Sequence, residues 1–174
     1  MLGRLGDKRA VPAIMAALQD PDPQLRRQAA QSLGELRSPR AFHVLVDALR
    51  EDADVEVRKM GAAALGSLRD GRAYRPLVRI LTDRDEDPRV RGVAAEALAA
   101  LSHRNAVAPL VAALSDPSAE VRFWAAFALG QLRSTRAVTK LKRLAATDRA
   151  RVPGWGSVRK EAAKAVDAIT GRAD

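Results

Sequence analysis

The sequence predicts an all-α fold, an α-solenoid of about five stacked helix pairs. Three observations carry that expectation. A Leu/Val-Arg dipeptide recurs with its arginine at Arg26, Arg58, Arg91, Arg122 and Arg159, a period in the range of repeat proteins. Behind each comes a pair of alanines and then Leu or Val: Ala29-Ala30 and Leu33, Ala62-Ala63 and Leu65, Ala94-Ala95 and Leu98, Ala125-Ala126 and Leu129, Ala162-Ala163 and Val166. Finally, 47% of the residues are hydrophobic but only 3% are aromatic. Small Ala, Leu and Val side chains suit thin layers of closely spaced helices better than one thick core.

Each unit divides into two helices. A second marker, Arg-Ala, opens the first helix at Arg9-Ala10, Arg40-Ala41, Arg72-Ala73 and Arg136-Ala137, with Arg104-Asn105-Ala106 as an imperfect copy. First helices are expected near 9–18, 40–49, 72–81, 105–114 and 136–145, and second helices near 23–36, 55–68, 88–101, 118–132 and 157–169. Val121, Ala125, Ala128, Leu129 and Leu132 follow the helical and not the strand period. Between the helices of a unit stand Asp20-Pro21-Asp22-Pro23, Asp87-Pro88 and Asp116-Pro117-Ser118. Asp or Ser there supplies an N-cap, and Pro is tolerated in the first helical turn. The units run roughly 7–36, 38–68, 70–101, 103–132 and 134–170 and form a single domain.

Several classes of chemistry are excluded. With no cysteine, disulfides, thiolate metal sites and Cys nucleophiles cannot occur. His43 and His103 have no His or Glu at metal-ligand spacing, Gly154-x-Gly156 opens no phosphate loop, and there is no Gly-x-Ser-x-Gly elbow. No metal, cofactor or catalytic residue is expected. No apolar run is long enough to span a bilayer, and residues 1–10 lack the core of a signal peptide. The expectation is a cytoplasmic protein with no membrane partner.

The pattern Leu33-Gly34-x-Leu36, Arg40-Ala41, Leu45, Leu49, Asp54, Val57-Arg58 and Ala62-Ala63 resembles the HEAT repeat, in the short bacterial form called phycobilisome-lyase-like. Residues 105–132 match it nearly as well. The resemblance covers essentially the whole chain. It implies right-handed stacking, second helices lining a concave face, and an Asp–Arg ladder between neighbours. Arg26, Arg58, Arg91, Arg122 and Arg159 are therefore expected to be structural, with Asp22, Asp54, Asp87 and Asp116 as their partners. Two departures stand out. Leu2-Gly3-Arg4-Leu5 matches the end of a second helix whose partner is missing, which suggests a fragment of a longer array. An insertion at 149–156, containing Trp155, lengthens the last unit's inner connection, a place where binding faces are often elaborated.

The formal charge is +9, which invites an anionic partner. The recurring arginines discount it, because architecture alone accounts for them. On the second helices, stacked positions read Gln28, Met60, Val93, Trp124, Glu161; Gln31, Ala63, Glu96, Phe127, Lys164; and Arg27, Lys59, Gly92, Phe123, Lys160. Three of the few aromatics, Phe123, Trp124 and Phe127, cluster at positions expected to face solvent. An exposed apolar patch with a polar rim marks an interaction site. The expectation is a protein-binding scaffold. Trp124, Phe127 and Phe123, with Met60, Val93 and Gln28, would anchor a partner segment, beside the inserted Trp155. Lys59, Arg27, Lys160 and Lys164 would select an acidic rim on it. Packing against a neighbouring unit or the Trp155 loop is the competing reading of the aromatics. Two alternatives for function come from HEAT-like relatives: nucleic-acid binding of the DNA glycosylase type, and a phycobilin lyase-type chromophore protein.

Overall fold

Ten α-helices in five antiparallel pairs form the computed structural model, which describes residues 8–103 and 105–171. The first helices are α1 (Val11–Ala17), α3 (Phe42–Glu51), α5 (Tyr74–Thr82), α7 (Val107–Ala113) and α9 (Val138–Thr147). The second helices are α2 (Pro23–Leu36), α4 (Val55–Leu68), α6 (Pro88–Ala100), α8 (Ala119–Gln131) and α10 (Val158–Thr170). Leu2-Gly3-Arg4-Leu5 and Arg104 lie outside the described residues. The Arg-Ala markers at 9, 40, 72 and 136 sit in short 3-10 turns that lead into the first helices. The inserted segment forms a small antiparallel hairpin, β1 (Arg151–Val152) with β2 (Gly156–Ser157). No sheet was expected from the sequence. None of the described helices is long and apolar enough to cross a membrane.

Caps explain where the second helices start. The side chains of Asp22, Asp54 and Asp87 accept hydrogen bonds from the backbone N–H groups of Gln24, Glu56 and Arg89, satisfying donors the helix itself cannot. Ser118 and Ser157 occupy the same position without a side-chain cap bond. In the fourth unit Asp116 instead accepts from Ser118 N–H at 2.8 Å. The helices end on residues in the left-handed region: Arg37, Arg69, Ser102 and Arg133, with φ between 47° and 52°, and Gly171. Glycine is the usual occupant of that position, and a side chain there costs roughly 1–2 kcal/mol.

The core is a line of fully buried leucines, one to three per unit, among them Leu33, Leu45, Leu49, Leu65, Leu77, Leu98, Leu110, Leu129 and Leu141. Second helices pack closely against one another all along the array, whereas successive first helices touch little. Glycines make this asymmetry. A Cβ on Gly34 would lie 2.9 Å from Ala64 Cα, and one on Gly66 would lie 2.8 Å from Ala97 Cβ. Gly130 meets Ala165 in the same way. The tight layer of second helices is therefore the inner, concave side, and the splayed first helices are the convex side.

The ladder that ties the units together differs in register from the sequence expectation. Arg26 bonds Asp52 at 2.7 Å, Arg58 bonds Glu86 at 2.8 Å, Arg91 bonds Asp116 at 2.6 Å and Arg122 bonds Asp148 at 2.7 Å. Each acid belongs to the loop of the following unit. Asp22, Asp54 and Asp87 are not the partners; each instead caps the start of its own helix through one oxygen. The same arginines also bind their own loop: Arg26 donates to the Asp20 and Pro21 carbonyls, Arg58 to those of Asp52 and Ala53, and Arg122 to those of Asp116 and Pro117. Arg159 is exposed and has no carboxylate partner among the described residues.

Burial raises the Asp52 carboxyl, but the Arg26 hydrogen bond, the Asp54 N–H and nearby Arg58 outweigh it and hold it below its ordinary value. Asp148 is lowered in the same way, with burial opposed by Arg122 and the Ala150 N–H. A carboxyl lowered on folding contributes stability above its unfolded pKa, near 3.9 by order of magnitude, and loses it as pH falls through the folded value. Urea midpoints measured across pH should therefore hold through neutrality and fall below about pH 4. Asp52→Asn/Asp148→Asn should start less stable at neutral pH and show a shallower acid limb.

Candidate protein-interaction surface

Trp124 is buried, with 6% of its surface exposed, and so is Phe123 at 5%. This overturns the expectation that both face solvent. The reason lies on the neighbouring helix. Gly92 of α6 has no side chain, and a Cβ built there would stand 2.6 Å from Trp124 Cδ1. The indole fills that space. Phe123 and Phe127 pack edge-to-face on Trp124, at centroid distances of 5.4 and 5.5 Å, the arrangement the ring quadrupole favours. Phe127 remains half-buried on α8.

Trp155 supplies the exposed aromatic surface instead. It stands edge-on to Trp124 at 4.7 Å while 61% of its own surface remains exposed. The hairpin that carries it is built by its sequence. Pro153 and Gly154 take the two central positions of a tight turn, with Gly154 at φ 77° and Trp155 N–H donating to the Val152 carbonyl. Proline followed by a glycine at positive φ is the type II turn signature. Val152 is buried and pins the hairpin against α8. The buried indole is thus a pedestal and the hairpin indole is the contact surface. Trp155 belonged to the expected contact set, but its dominance over Trp124 was not legible. The available signal was Gly92 beside Trp124 on adjacent helices.

Met60 and Val93 are half-buried on α4 and α6, and Gln28 is exposed on α2. A shallow groove of about 320 Å³ between α2 and α4 is lined by Gln31, Met60, Ala63 and Ser67. A second, of about 370 Å³, lies between the start of α6 and the hairpin, lined by Arg89, Glu120, Arg151 and Pro153. The charged rim is mixed in sign. Lys59 is engaged by Glu56 at 2.9 Å, and Lys164 lies 3.8 Å from Glu161. Arg27 is half-buried and Lys160 exposed. Burial raises the carboxyls of Glu96 and Glu161, the latter against the pull of Lys164.

The two tryptophans should separate in a stability measurement. Trp124→Ala removes a packed core ring and should cost about 3–5 kcal/mol in urea unfolding. Trp155→Ala loses mainly an edge-to-face pair and should cost about 1 kcal/mol.

A family model described as HEAT repeats matches residues 1–66, 19–87, 43–101 and 74–156. The chain is similar in structure to a chain in the complex of CpcE and CpcF of phycocyanin lyase from Nostoc sp., with 26% identity and a TM-score of 0.74. That match covers 92% of this chain and 65% of the other, so this chain spans less than two thirds of its length. YibA of E. coli gives 20% identity and a TM-score of 0.71 over 98% of this chain and 62% of that one. A designed armadillo repeat protein in complex with the peptide (KR)4 gives 24% and 0.61, over 92% of this chain and 82% of that one. At these identities the last two show likeness of fold alone. No curated protein matches the sequence.

Proposed function

The chain belongs to the HEAT-repeat family, and from that premise we propose that it is a protein-binding scaffold that holds a partner segment against the face of its second helices. The observation that carries this reading is Trp155, a 61% exposed indole standing on the buried Trp124. A large rigid ring that is immobilised by its pedestal yet open to solvent loses little freedom when covered, and tryptophan dominates interface hot spots for that reason. Phe127, Met60 and Val93 extend the apolar path across α8, α6 and α4. Arg27, Lys160 and Lys164 would meet acidic groups on the partner, while Lys59, already engaged by Glu56, contributes less. No catalytic step is assigned to this surface.

A second reading rests on the likeness to a phycocyanin lyase chain. In it the same face would hold a chromophore or a chromophore-bearing protein. Visible absorbance acquired on mixing with a bilin would favour it.

Affinity capture from nuclease-treated lysate of the source cells tests the scaffold reading. Wild type should retain a specific protein that Trp155→Ser/Phe127→Ser releases by at least tenfold, while the variant keeps its helicity and nearly its melting temperature. Equal retention by both proteins would remove Trp155 and Phe127 from the interface.

A further inference from the structure

The two edges of the solenoid differ in charge. One edge holds the loops between the helices of each unit and all the ladder carboxylates. The other holds the turns between units, where second helices end and first helices begin. There the arginines come in pairs: Arg37 with Arg40, Arg69 with Arg72, and Arg133 with Arg136. All six are exposed. Arg72 bonds Asp70 at 2.6 Å and lies over the Phe42 ring at 4.3 Å. Among the described residues the other five have no carboxylate partner, and Asp70 is the one acid of turns 37–41, 69–73, 102–106 and 133–137.

Folding does not ask for the first arginine of each pair. Arg37, Arg69 and Arg133 occupy the left-handed position that glycine fills most readily, as Gly171 does in the last unit. A cation near a helix C-terminus gains from the helix dipole, but it would gain as much one residue earlier without the unfavourable backbone. Residues held in disfavoured conformations often mark function. The same edge carries an aromatic pair between the arginine pairs of the second–third and fourth–fifth turns. Tyr74 and His103 are stacked at 4.3 Å with 16° between their planes, and Tyr74 Oη donates to the Asn105 carbonyl at 3.3 Å. Both rings are half-exposed.

We propose that this arginine edge binds the backbone of a single-stranded nucleic acid, with the guanidiniums taking phosphates and the Tyr74–His103 pair stacking a base. The planar fork of arginine matches phosphate oxygens two at a time. Helix layers repeat at roughly 8–10 Å, so the pairs form a narrow row that follows one strand rather than spanning a duplex. Stacked aromatics beside a basic track are what sequence-tolerant single-strand binders use. An acidic peptide would have no use for them. A membrane surface would call for bulky apolar side chains along the row, and none is exposed there. This surface is separate from the face of the second helices and does not depend on it.

Fluorescence anisotropy of a labelled oligo(dT) strand tests the proposal. Wild type should bind at low salt, with affinity falling at least tenfold as salt rises from about 50 to 200 mM. Arg37→Gly/Arg69→Gly/Arg133→Gly should bind at least tenfold more weakly while melting at the same or a higher temperature, because the glycines relieve the backbone. Arg40→Gln/Arg136→Gln, which leaves those positions untouched, should also weaken binding severalfold. Tyr74→Ala should reduce affinity without changing the salt slope. The proposal is overturned if wild type does not bind the strand, if both arginine variants bind as wild type does, or if a duplex or a labelled polyglutamate peptide binds as tightly as oligo(dT).

Discussion

Four guanidiniums hold this array together, each fastening two loops at once. Arg26, Arg58, Arg91 and Arg122 reach forward to a carboxylate of the next unit, and Arg26, Arg58 and Arg122 also take two carbonyls of their own loop. Arg91 follows the same plan with one bond to the Glu86 carbonyl. Only arginine has enough donors, in a fixed fork, to serve two loops in this way. The acids return the constraint. Asp52, Asp116 and Asp148 each use one oxygen to bend their own loop, accepting from Asp54, Ser118 and Ala150 N–H, while an oxygen faces the arginine. The Arg91–Asp116 pair is nearly sealed from water, with side-chain exposures of 4% and 7%. A buried pair of this kind is costly to break, because the remaining charge is left without solvent.

The ladder fixes the register between units, and that register brings Gly34, Gly66 and Gly130 against Ala64, Ala97 and Ala165. The close crossings then curve the array and turn the second helices into one continuous face. The hairpin after α9 fits the same logic. It leaves the loop just beyond Asp148, the last ladder acid, and returns to α10 over the buried Trp124. Loop, ladder and aromatic pedestal are thus connected, and Trp155 stands on the segment that joins them.

The architecture was legible in the sequence because the repeat samples one environment five times. The second helices start at the residues marked by Asp-Pro and by the Asp or Ser ahead of Leu/Val-Arg, and the first helices follow the Arg-Ala marker. Of the ladder's acids only Asp116 was legible. Asp22, Asp54 and Asp87 recur as regularly as Asp52 and Asp148, and periodicity cannot tell a cap from an ion-pair partner when both lie in one loop. Trp124 was misplaced for a related reason. Stacked positions were assumed to share one exposure, yet Gly92 opens a space that only the neighbouring indole fills. The left-handed arginines could have been noticed, since Arg37, Arg69 and Arg133 stand where a glycine would be expected to end a helix.

The claim on which the rest hangs is that one arginine couples two adjacent units. A double-mutant cycle of Arg58→Ala and Glu86→Ala, read by urea unfolding, measures that coupling directly. The pair meets at 2.8 Å with side-chain exposures of 17% and 9%, so a coupling energy of about 1–3 kcal/mol is predicted. Additive losses, with no coupling between the two sites, would contradict the account and leave the stacking to the apolar core alone.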